Sequence, residues 1–353
     1  MSMVSKQMSE YADRMDDELI DISTGAEMIV CTTFSEDRSA IVSQALGIPM
    51  VTLHTYPCRK NSHYAPPPGS VPANWKVPGV FNRVAWSAIE RLRTVVFGKY
   101  LNNLRTKLDL PRSWASTESI LAGRNVPPEL QMYDQAFVPG LAEEWGGPSR
   151  PMVGFLWLPQ SARAAIGESA EAHTEVLDWM KGGTPPIFFG FGSMPILDFG
   201  SVLAMIEQIC ARTGERALVS VGGCPPGPRA AQHVRQGEGR RRAGTRSGLP
   251  ALPGRGTPRR NRNSLREPAG WAATLVCSVS FDQPVWGHQV ERLGVGAHVP
   301  FTKLRADTLG GAGIDTVLDP QMRSRAEAFG ARLQATGDGV PRVCDIVEKT
   351  AAR

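Results

Sequence analysis

The alternation of short apolar segments with amphipathic segments constrains the fold of this chain more than any other feature. "AEMIVCTTF" (26–34) predicts a strand, "SEDRSAIVSQAL" (35–46) predicts a helix with Ser35 as its N-cap, and "IPMVTLHTYP" (48–57) predicts the next strand after a stop at Gly47. Strand–helix–strand units of this kind build parallel sheets. The first part of the chain is therefore predicted to be α/β.

The same alternation returns in the second half of the chain. An apolar strand runs into a glycine-rich turn in "TPPIFFGFGSMPILDFG" (184–200), and a helix and a strand follow. The predicted elements after that turn are the helix 201–214, the strands 216–223, 274–279 and 295–300, the helix 284–294, and helices around 321–335 and 340–351. We therefore expect a second parallel sheet.

Three other segments complete the pattern. Residues 80–107 predict a long amphipathic helix whose basic face is either solvated, the simpler interpretation, or bound to anionic lipid. The proline-rich loop 58–79 is too long for a simple connection and is typical of a lid or binding loop. "LQMYDQAFVPG" (130–140) and "PMVGFLWLP" (151–159) are predicted to be strands.

Composition limits the cellular setting. No apolar run approaches the roughly 18 residues of a membrane span, and the N-terminus lacks the apolar region of a secretory signal. The six cysteines form no Cys-x-x-Cys pair. The sequence therefore predicts a cytoplasmic protein, with association at the cytoplasmic face of a membrane left open.

The net charge of +5 belongs to one segment. Residues 224–270 contain 11 of the 39 basic residues, all arginine, and only two of the 34 acidic ones. The rest of the chain thus has 28 basic and 32 acidic residues and is mildly acidic. This distribution argues against a nucleic-acid partner for the protein as a whole.

Two groups of residues stand where strands of a doubly wound sheet end, which is where such sheets bind ligands. Gly192 and Ser193 lie in the turn that opens a helix, a place suited to phosphate, although a plain tight turn also needs glycine. Asp282 and Gln283 follow a strand and offer a carboxylate and an amide to a polyhydroxyl ligand such as a sugar. The alternative for Asp282 is a helix N-cap.

These stretches, "PPIFFGFGSMP" and "SFDQPVWGHQVERLGVG", resemble the UDP-glycosyltransferase-like enzymes with the two-Rossmann GT-B architecture. They are most similar to the bacterial branch that glycosylates macrolides, sterols and glycopeptidolipids. "TTFSEDRSAIVSQALGIPMVTLHTYP" and "GIDTVLDPQMRSRAEAFGARL" also resemble that branch. The resemblance covers nearly the whole chain except residues 224–270.

The resemblance implies an α/β fold of two Rossmann-like doubly wound domains facing a cleft. Residues 1–145 would form the acceptor-binding domain, incomplete at its N-terminus, and 146–184 a linker. Residues 185–339 would form the nucleotide-sugar domain, and 340–353 a C-terminal helix. The implied reaction is inverting transfer of a hexose to a hydroxyl of a small lipophilic acceptor.

The resemblance also implies roles for single residues. Gly192 and Ser193 would lie beside the donor diphosphate, and Asp282 and Gln283 would bind sugar hydroxyls. The 56–80 loop, with His54 and Tyr56, would line the acceptor pocket, although a satisfied core histidine is an equal alternative for His54. The donor would be a UDP- or dTDP-linked sugar, with no cofactor and no metal. His288 and His298 show no metal-ligand spacing.

Residues 224–270 stand where the family has a phosphate-binding loop of the His-His-Gly-Gly-x-Gly-Thr type. Codons compatible with Thr257 to Asn263 yield His-His-Gly-Gly-Thr-Gly-Thr when read one base later. We therefore expect a frame slip near 224–236 that is compensated near 264–272. The first strand of the family and its catalytic base, an aspartate or histidine, are also expected to be missing. If both the phosphate-binding loop and the catalytic base are lost, we expect the chain to be a weak or inactive catalyst.

Two alternatives to a glycosyltransferase stay open at this point. The first is a non-catalytic remnant of such an enzyme. The second is a polyanion or nucleic-acid binder that uses the arginine run, since arginine clusters neutralise phosphates. The run lacks aromatic residues and helical periodicity, which favours the glycosyltransferase.

Overall fold

The computed structural model describes residues 3–66, 77–122, 127–145, 147–157, 162, 165, 174–184, 186–190, 198–220, 272–279, 282–305 and 307–352. The chain forms two compact units. Met1–Trp157 and Thr336–Arg353 make up the first unit, and Leu158–Ala335 the second. The boundary between the units thus falls inside the segment 146–184, and the chain returns to the first unit at its end.

Among its described residues, the first unit contains a three-stranded sheet and five α-helices before the chain enters the second unit. The strands are β1 (Ile29–Thr32), β2 (Met50–His54) and β3 (Glu129–Gln131), and the helices are α1 (Met3–Ser23), α2 (Glu36–Leu46), α3 (Gly79–Lys107), α4 (Thr117–Ala122) and α5 (Leu141–Trp145).

The second unit contributes two pairs of strands and their helices. In chain order these are α6 (Thr174–Lys181), β4 (Ile187–Gly190), α7 (Phe199–Thr213), β5 (Ala217–Ser220), β6 (Thr274–Ser278), α8 (Gln283–Arg292), β7 (Gly296–Pro300), a π-helical segment (Thr308–Asp315), α9 (Thr316–Leu318) and α10 (Pro320–Ala335). The last helix, α11 (Val340–Ala351), belongs to the first unit.

All strand pairs among the described residues are parallel. The first sheet has the order β1-β2-β3, and β4 pairs with β5 as β6 pairs with β7. Thr52 of β2 lies between Cys31 of β1 and Glu129 of β3, and His54 lies opposite Gln131. This register brings the carboxyl ends of the strands to one edge. The α/β fold class predicted from the sequence is confirmed.

Helix α2 shows how local sequence sets the boundaries of an element. Ser35 holds the predicted N-cap position, but its hydroxyl makes no capping hydrogen bond. Glu36 and Asp37 place negative charge in the first turn, where the helix dipole favours it. Gly47 ends the helix in the left-handed conformation, with φ of 68°, as predicted.

The first sheet is covered on both faces. A cluster built around Ile29, Ile41 and Leu104 packs α2 and α3 against β1 and β2. A second cluster joins Val51 and Leu130 to apolar side chains of α11. Burying such an aliphatic side chain stabilises the fold by about 1.5–3 kcal/mol. The C-terminal helix is therefore part of the core of the first unit.

In the second unit, two clusters pack helices onto the strands. Ile206 lies in a cluster that joins α7 to β5, and Ile209 lies in one that joins α7 to β7 and the π-helical segment. Asp198 caps α7 by accepting a hydrogen bond from the Ser201 backbone N–H at 3.1 Å. The predicted helix of residues 201–214 is confirmed, with its start two residues earlier.

Of the two strands predicted late in the first half, the one over 130–140 is confirmed only at its start, in β3, and the one over 151–159 is wrong in its described part. After Gln131 the chain leaves the sheet, because Asp134 accepts a hydrogen bond from the Ala136 N–H at 2.8 Å and starts a 3₁₀ turn. In the described part of 151–159, only Met152 pairs, as a single bridge to Gln131. Apolar residues here are buried by turns rather than by strands.

Gly296 is a site where the fold requires glycine, because a Cβ there would lie 2.1 Å from the Thr274 carbonyl oxygen of the neighbouring strand. We expect Gly296→Ala to lower the free energy of unfolding by about 1–3 kcal/mol. Gly311→Ala is the matched control, since a Cβ there meets open space. Urea unfolding monitored by circular dichroism tests this. Equal midpoints for the two variants would contradict the packing described for β6 and β7.

Candidate functional site

Polar side chains crowd the carboxyl edge of the first sheet. Glu36 begins α2 just after β1, His54 ends β2 and Gln131 ends β3. Arg59 follows β2 by five residues. The first three side chains have no exposed surface and Arg59 is 4% exposed. The edge is therefore a buried polar cluster.

Arg59 joins the charges of this cluster. Its Nη2 donates to Glu36 Oε1 at 2.5 Å, and its Nε donates to Glu129 Oε1 at 2.9 Å. Arg150 donates from Nε to the other oxygen of Glu129 at 2.6 Å and from Nη2 to Glu118. Because removing one member of such a network leaves a charge buried without a partner, we expect every member to matter for stability.

Glu36 is held ionised. Burial alone would raise the pKa of its carboxyl group, but the hydrogen bond from His54 and the Arg59 guanidinium outweigh burial and lower the pKa to about 2. Its second oxygen, Oε2, is buried with no hydrogen-bond partner in the described part of the chain. A carboxylate with so low a pKa is a weak base, so proton abstraction from an acceptor is not its task.

His54 lies between two hydrogen-bond partners. Its Nε2 is 3.1 Å from Glu36 Oε1, and its Nδ1 is 3.2 Å from the Gln131 amide nitrogen. Burial alone would lower the pKa of His54, but Cys58 and Glu36 outweigh it and raise the pKa to about 9. The Gln131 nitrogen also donates to the Glu129 carbonyl oxygen at 2.8 Å. Protonation of Nδ1 therefore requires the Gln131 amide to turn.

His54 has no exposed surface, and both of its ring nitrogens lie within hydrogen-bond distance of a partner. This environment favours the alternative interpretation of a satisfied core histidine. A role of His54 at an acceptor pocket stays a prediction. Tyr56, two residues beyond β2, is partly buried. Its role at an acceptor pocket stays a prediction, because residues 67–76 of the adjoining loop lie outside the described residues.

Asp282 and Gln283 lie at the start of α8, after the carboxyl end of β6. Gln283 Oε1 accepts a hydrogen bond from the Val279 N–H at 2.7 Å, and Asp282 Oδ2 accepts one from the Trp286 indole at 3.2 Å. The Asp282 carboxylate also accepts a hydrogen bond from its own backbone N–H. Within the described residues, the Gln283 amide nitrogen makes no hydrogen bond, so one donor stays available for a ligand.

Asp282 occupies the N-cap position of α8, but its side chain makes no capping hydrogen bond. Asp282 therefore stands at the N-cap position, as the alternative interpretation predicts, but its side chain does not cap the helix. Burial raises the pKa of Asp282. The Trp286 indole holds one carboxylate oxygen in place, and the residue follows the carboxyl end of β6, where ligands of doubly wound sheets bind.

Two other parts of the predicted donor site fall outside the described residues. Gly192 and Ser193 lie in the segment 191–197 between β4 and α7, and the arginine-rich segment 224–270 lies between β5 and β6. Their predicted roles at the diphosphate stay predictions.

Sequence reasoning missed Arg59, Glu129 and Arg150. They are separated by 70 and 21 residues, so no spacing in the sequence indicates that they meet. Glu129 did offer one signal, because a charged residue directly beside an apolar strand segment requires a partner. The identity of that partner depends on the register of β2 and β3.

Comparisons with known proteins agree with this picture. No family model matches the chain. It is 32% identical over 347 residues to an uncharacterised glycosyltransferase of Mycobacterium leprae. The match covers 97% of this chain and 77% of the mycobacterial protein. A sterol 3-beta-glucosyltransferase of Arabidopsis thaliana is 25% identical over 323 residues, and the match covers 85% of this chain and 45% of the plant protein.

Among solved structures, the glycotransferase of kitacinnamycin matches with a TM-score of 0.56 at 13% identity, over 99% of this chain and 83% of that one. The calicheamicin glycosyltransferase matches with a TM-score of 0.53 at 13% identity over the same shares. The fold is therefore GT-B, the architecture of two Rossmann-like domains. With the mycobacterial relative, this places the chain in the UDP-glycosyltransferase-like family, and the chain is a glycosyltransferase by descent.

We expect Glu36→Gln to destabilise the first unit by about 3–5 kcal/mol, because the amide no longer balances buried Arg59. Glu27→Gln, at an exposed position just before β1, is the control. Thermal unfolding of both variants and of the parent measures the difference. Equal melting temperatures would show that the network contributes nothing net.

The low pKa of Glu36 also predicts that the free energy of unfolding falls at acid pH. The folded pKa of about 2 lies below the ordinary value of 4.5, so this contribution is complete above pH 4.5 and is lost as the pH falls toward 2. It amounts to about 3 kcal/mol. Urea unfolding between pH 2 and 6 should therefore show a steeper acid loss for the parent than for Glu36→Gln. Parallel curves would contradict the assignment.

Proposed function

We propose that the chain transfers a hexose from a nucleotide-diphosphate sugar to a hydroxyl group of a lipophilic acceptor, with inversion at the anomeric carbon. The observation that carries the proposal is the position of the Asp282 carboxylate and the unbonded Gln283 amide nitrogen at the carboxyl edge of β6. The family supports the nucleotide-sugar donor. The sterol 3-beta-glucosyltransferase relative supports a lipophilic acceptor.

Inverting transfer is a direct displacement. The acceptor oxygen bonds to the anomeric carbon as the bond to the nucleotide diphosphate breaks, and a base takes the proton of the acceptor. Asp282 would accept hydrogen bonds from sugar hydroxyls, and Gln283 would donate one from its amide nitrogen. The UDP- or dTDP-linked sugar is a co-substrate, and the proposal uses no other cofactor and no metal in the reaction.

The arginine-rich segment 224–270 bears on how fast this reaction runs. It stands where the family has its phosphate-binding loop, and codons compatible with Thr257 to Asn263 give that loop sequence when read one base later. Losing oriented donors to a developing charge slows turnover typically by about 10²–10³-fold. We propose that transfer by the chain as written is weak and that a frame-corrected chain binds the donor more tightly.

The donor half can be tested by thermal-shift titration with UDP-, dTDP- and GDP-sugars, on the chain as written and on a frame-corrected chain. In the corrected chain, we expect Asp282→Ala to weaken nucleotide-sugar binding and to leave binding of the free nucleotide diphosphate nearly unchanged. The sugar, not the nucleotide, would contact Asp282.

Trp286→Phe is the matched control, because it removes the indole bond that orients Asp282 and keeps the carboxylate. We expect it to have a smaller effect on sugar binding than Asp282→Ala. Equal loss of sugar-nucleotide and free nucleotide binding in Asp282→Ala would refute the assignment. If no nucleotide sugar shifts the melting of either chain, the proposed function itself is wrong.

We further propose that α3 contacts a membrane surface at which the acceptor is collected. Along one side of α3, Val84, Leu92 and Val95 are exposed by 62%, 56% and 66%. Arg91 and Lys99 are exposed beside them. An apolar stripe flanked by basic side chains suits the surface of an anionic bilayer. No helix among the described residues has the length and apolar character needed to span a bilayer.

Vesicle sedimentation tests this contact. We expect the protein to bind phosphatidylglycerol vesicles more than phosphatidylcholine vesicles, and Leu92→Ser with Val95→Ser to reduce the bound fraction. Ile22→Ser removes an apolar side chain of α1 that is 73% exposed, and should leave binding unchanged. Equal sedimentation of all variants, or none with either lipid, would contradict the proposal.

A further inference from the structure

Two histidines and a glutamate meet where α8 packs on β7. One ring nitrogen of His288, one of His298 and a carboxylate oxygen of Glu291 lie within 4.8 Å of one another. His288 and Glu291 are one turn apart on α8, and His298 belongs to β7. The sequence shows no metal-ligand spacing between the two histidines, because only the folded helix and strand bring them together.

The two imidazole rings are held in place by their surroundings. Their centroids are 4.6 Å apart and their planes meet at 83°. Gly287 permits this approach, since a Cβ there would lie 2.5 Å from His298 Cδ2. The Ser278 hydroxyl lies 2.7 Å from His298 Nε2 and fixes the rotation of that ring. The nitrogen positions are thus set by the fold.

One donor atom of this cluster is unused. His288 Nδ1 is buried and has no hydrogen-bond partner within the described residues. Glu291 Oε2 lies 3.6 Å from it, which is longer than a hydrogen bond. Buried ring nitrogens normally have a hydrogen-bond partner, so a bound ligand would directly explain the unpartnered Nδ1 of His288.

We propose that His288, Glu291 and His298 bind a divalent transition-metal ion of the zinc class. Zinc takes imidazole nitrogen and carboxylate oxygen at about 2.0–2.2 Å, with water as a fourth ligand, which places neighbouring ligand atoms about 3.4 Å apart. The Glu291 side chain is 46% exposed, so it can move to close the site and leaves a path for the ion. Imidazole ligands disfavour Mg²⁺ and Ca²⁺.

The ion would tie α8 to β7 and take no part in sugar transfer. Helix α8 begins with Asp282 and Gln283, so the ion would hold the helix that carries them. This inference stands on the geometry of the three side chains. It does not depend on the proposed reaction.

The test is a cobalt and zinc titration of the full chain after dialysis against a chelator. We expect one Co²⁺ per chain with visible d–d absorption, and displacement of Co²⁺ by Zn²⁺. Glu291→Gln should weaken Zn²⁺ binding roughly tenfold or more, and it should fold because Glu291 is exposed. Added Zn²⁺ should raise the melting temperature of the parent more than that of Glu291→Gln.

His63→Gln is the matched control. His63 is also partly exposed and lies 3.5 Å from a carboxylate oxygen, that of Glu144 in the first unit. We expect this variant to bind Zn²⁺ as the parent does. Equal affinity of parent, Glu291→Gln and His63→Gln would overturn the proposal, since the ion would then bind elsewhere. Absence of any Co²⁺ or Zn²⁺ binding by the parent would overturn it as well.

Discussion

The pairing of buried Arg59 with Glu36 and Glu129 is the interaction on which the first sheet depends. Glu36 comes from the start of α2, Glu129 from the start of β3 and Arg59 from the loop after β2, so one guanidinium joins three separate elements. Moving charges out of water is unfavourable, and only mutual pairing offsets it. The network therefore fixes the side chains at the carboxyl edge of the first sheet in one arrangement. His54 and Gln131 extend the network with hydrogen bonds.

The first sheet and the β6–β7 pair use their carboxyl edges differently. In the first unit the described polar groups at that edge are buried and mostly bonded to one another, which suits a rigid support. At the end of β6, hydrogen bonds orient the Asp282 carboxylate and the Gln283 side-chain oxygen, while the Gln283 amide nitrogen makes no hydrogen bond within the described residues. Donors and acceptors that are already oriented bind a ligand without further ordering, which favours recognition of a sugar.

The sequence predicted the parallel α/β order because strand and helix periodicities are local properties of the chain. Gly47 ends α2 in the left-handed conformation, and Asp282 stands at the start of α8. Each of these helix boundaries is encoded by a few neighbouring residues. Strands after Gln131 were wrongly predicted because Asp134 turns the chain by a side-chain bond that periodicity does not reveal. The pairing of Arg59 with Glu129, and of His288 with His298, depends on register and helix packing across long separations. Such contacts leave no pattern in one sequence.

Hydrogen–deuterium exchange in the presence of UDP-glucose or UDP alone tests the central claim, that the end of β6 and the start of α8 hold the sugar. The measurement uses the frame-corrected chain at saturating ligand. We expect UDP-glucose to protect residues 279–286 beyond the protection given by UDP, with no added protection at 50–59. Identical protection by both ligands at 279–286, or sugar-dependent protection confined to the edge of the first sheet, would contradict the account.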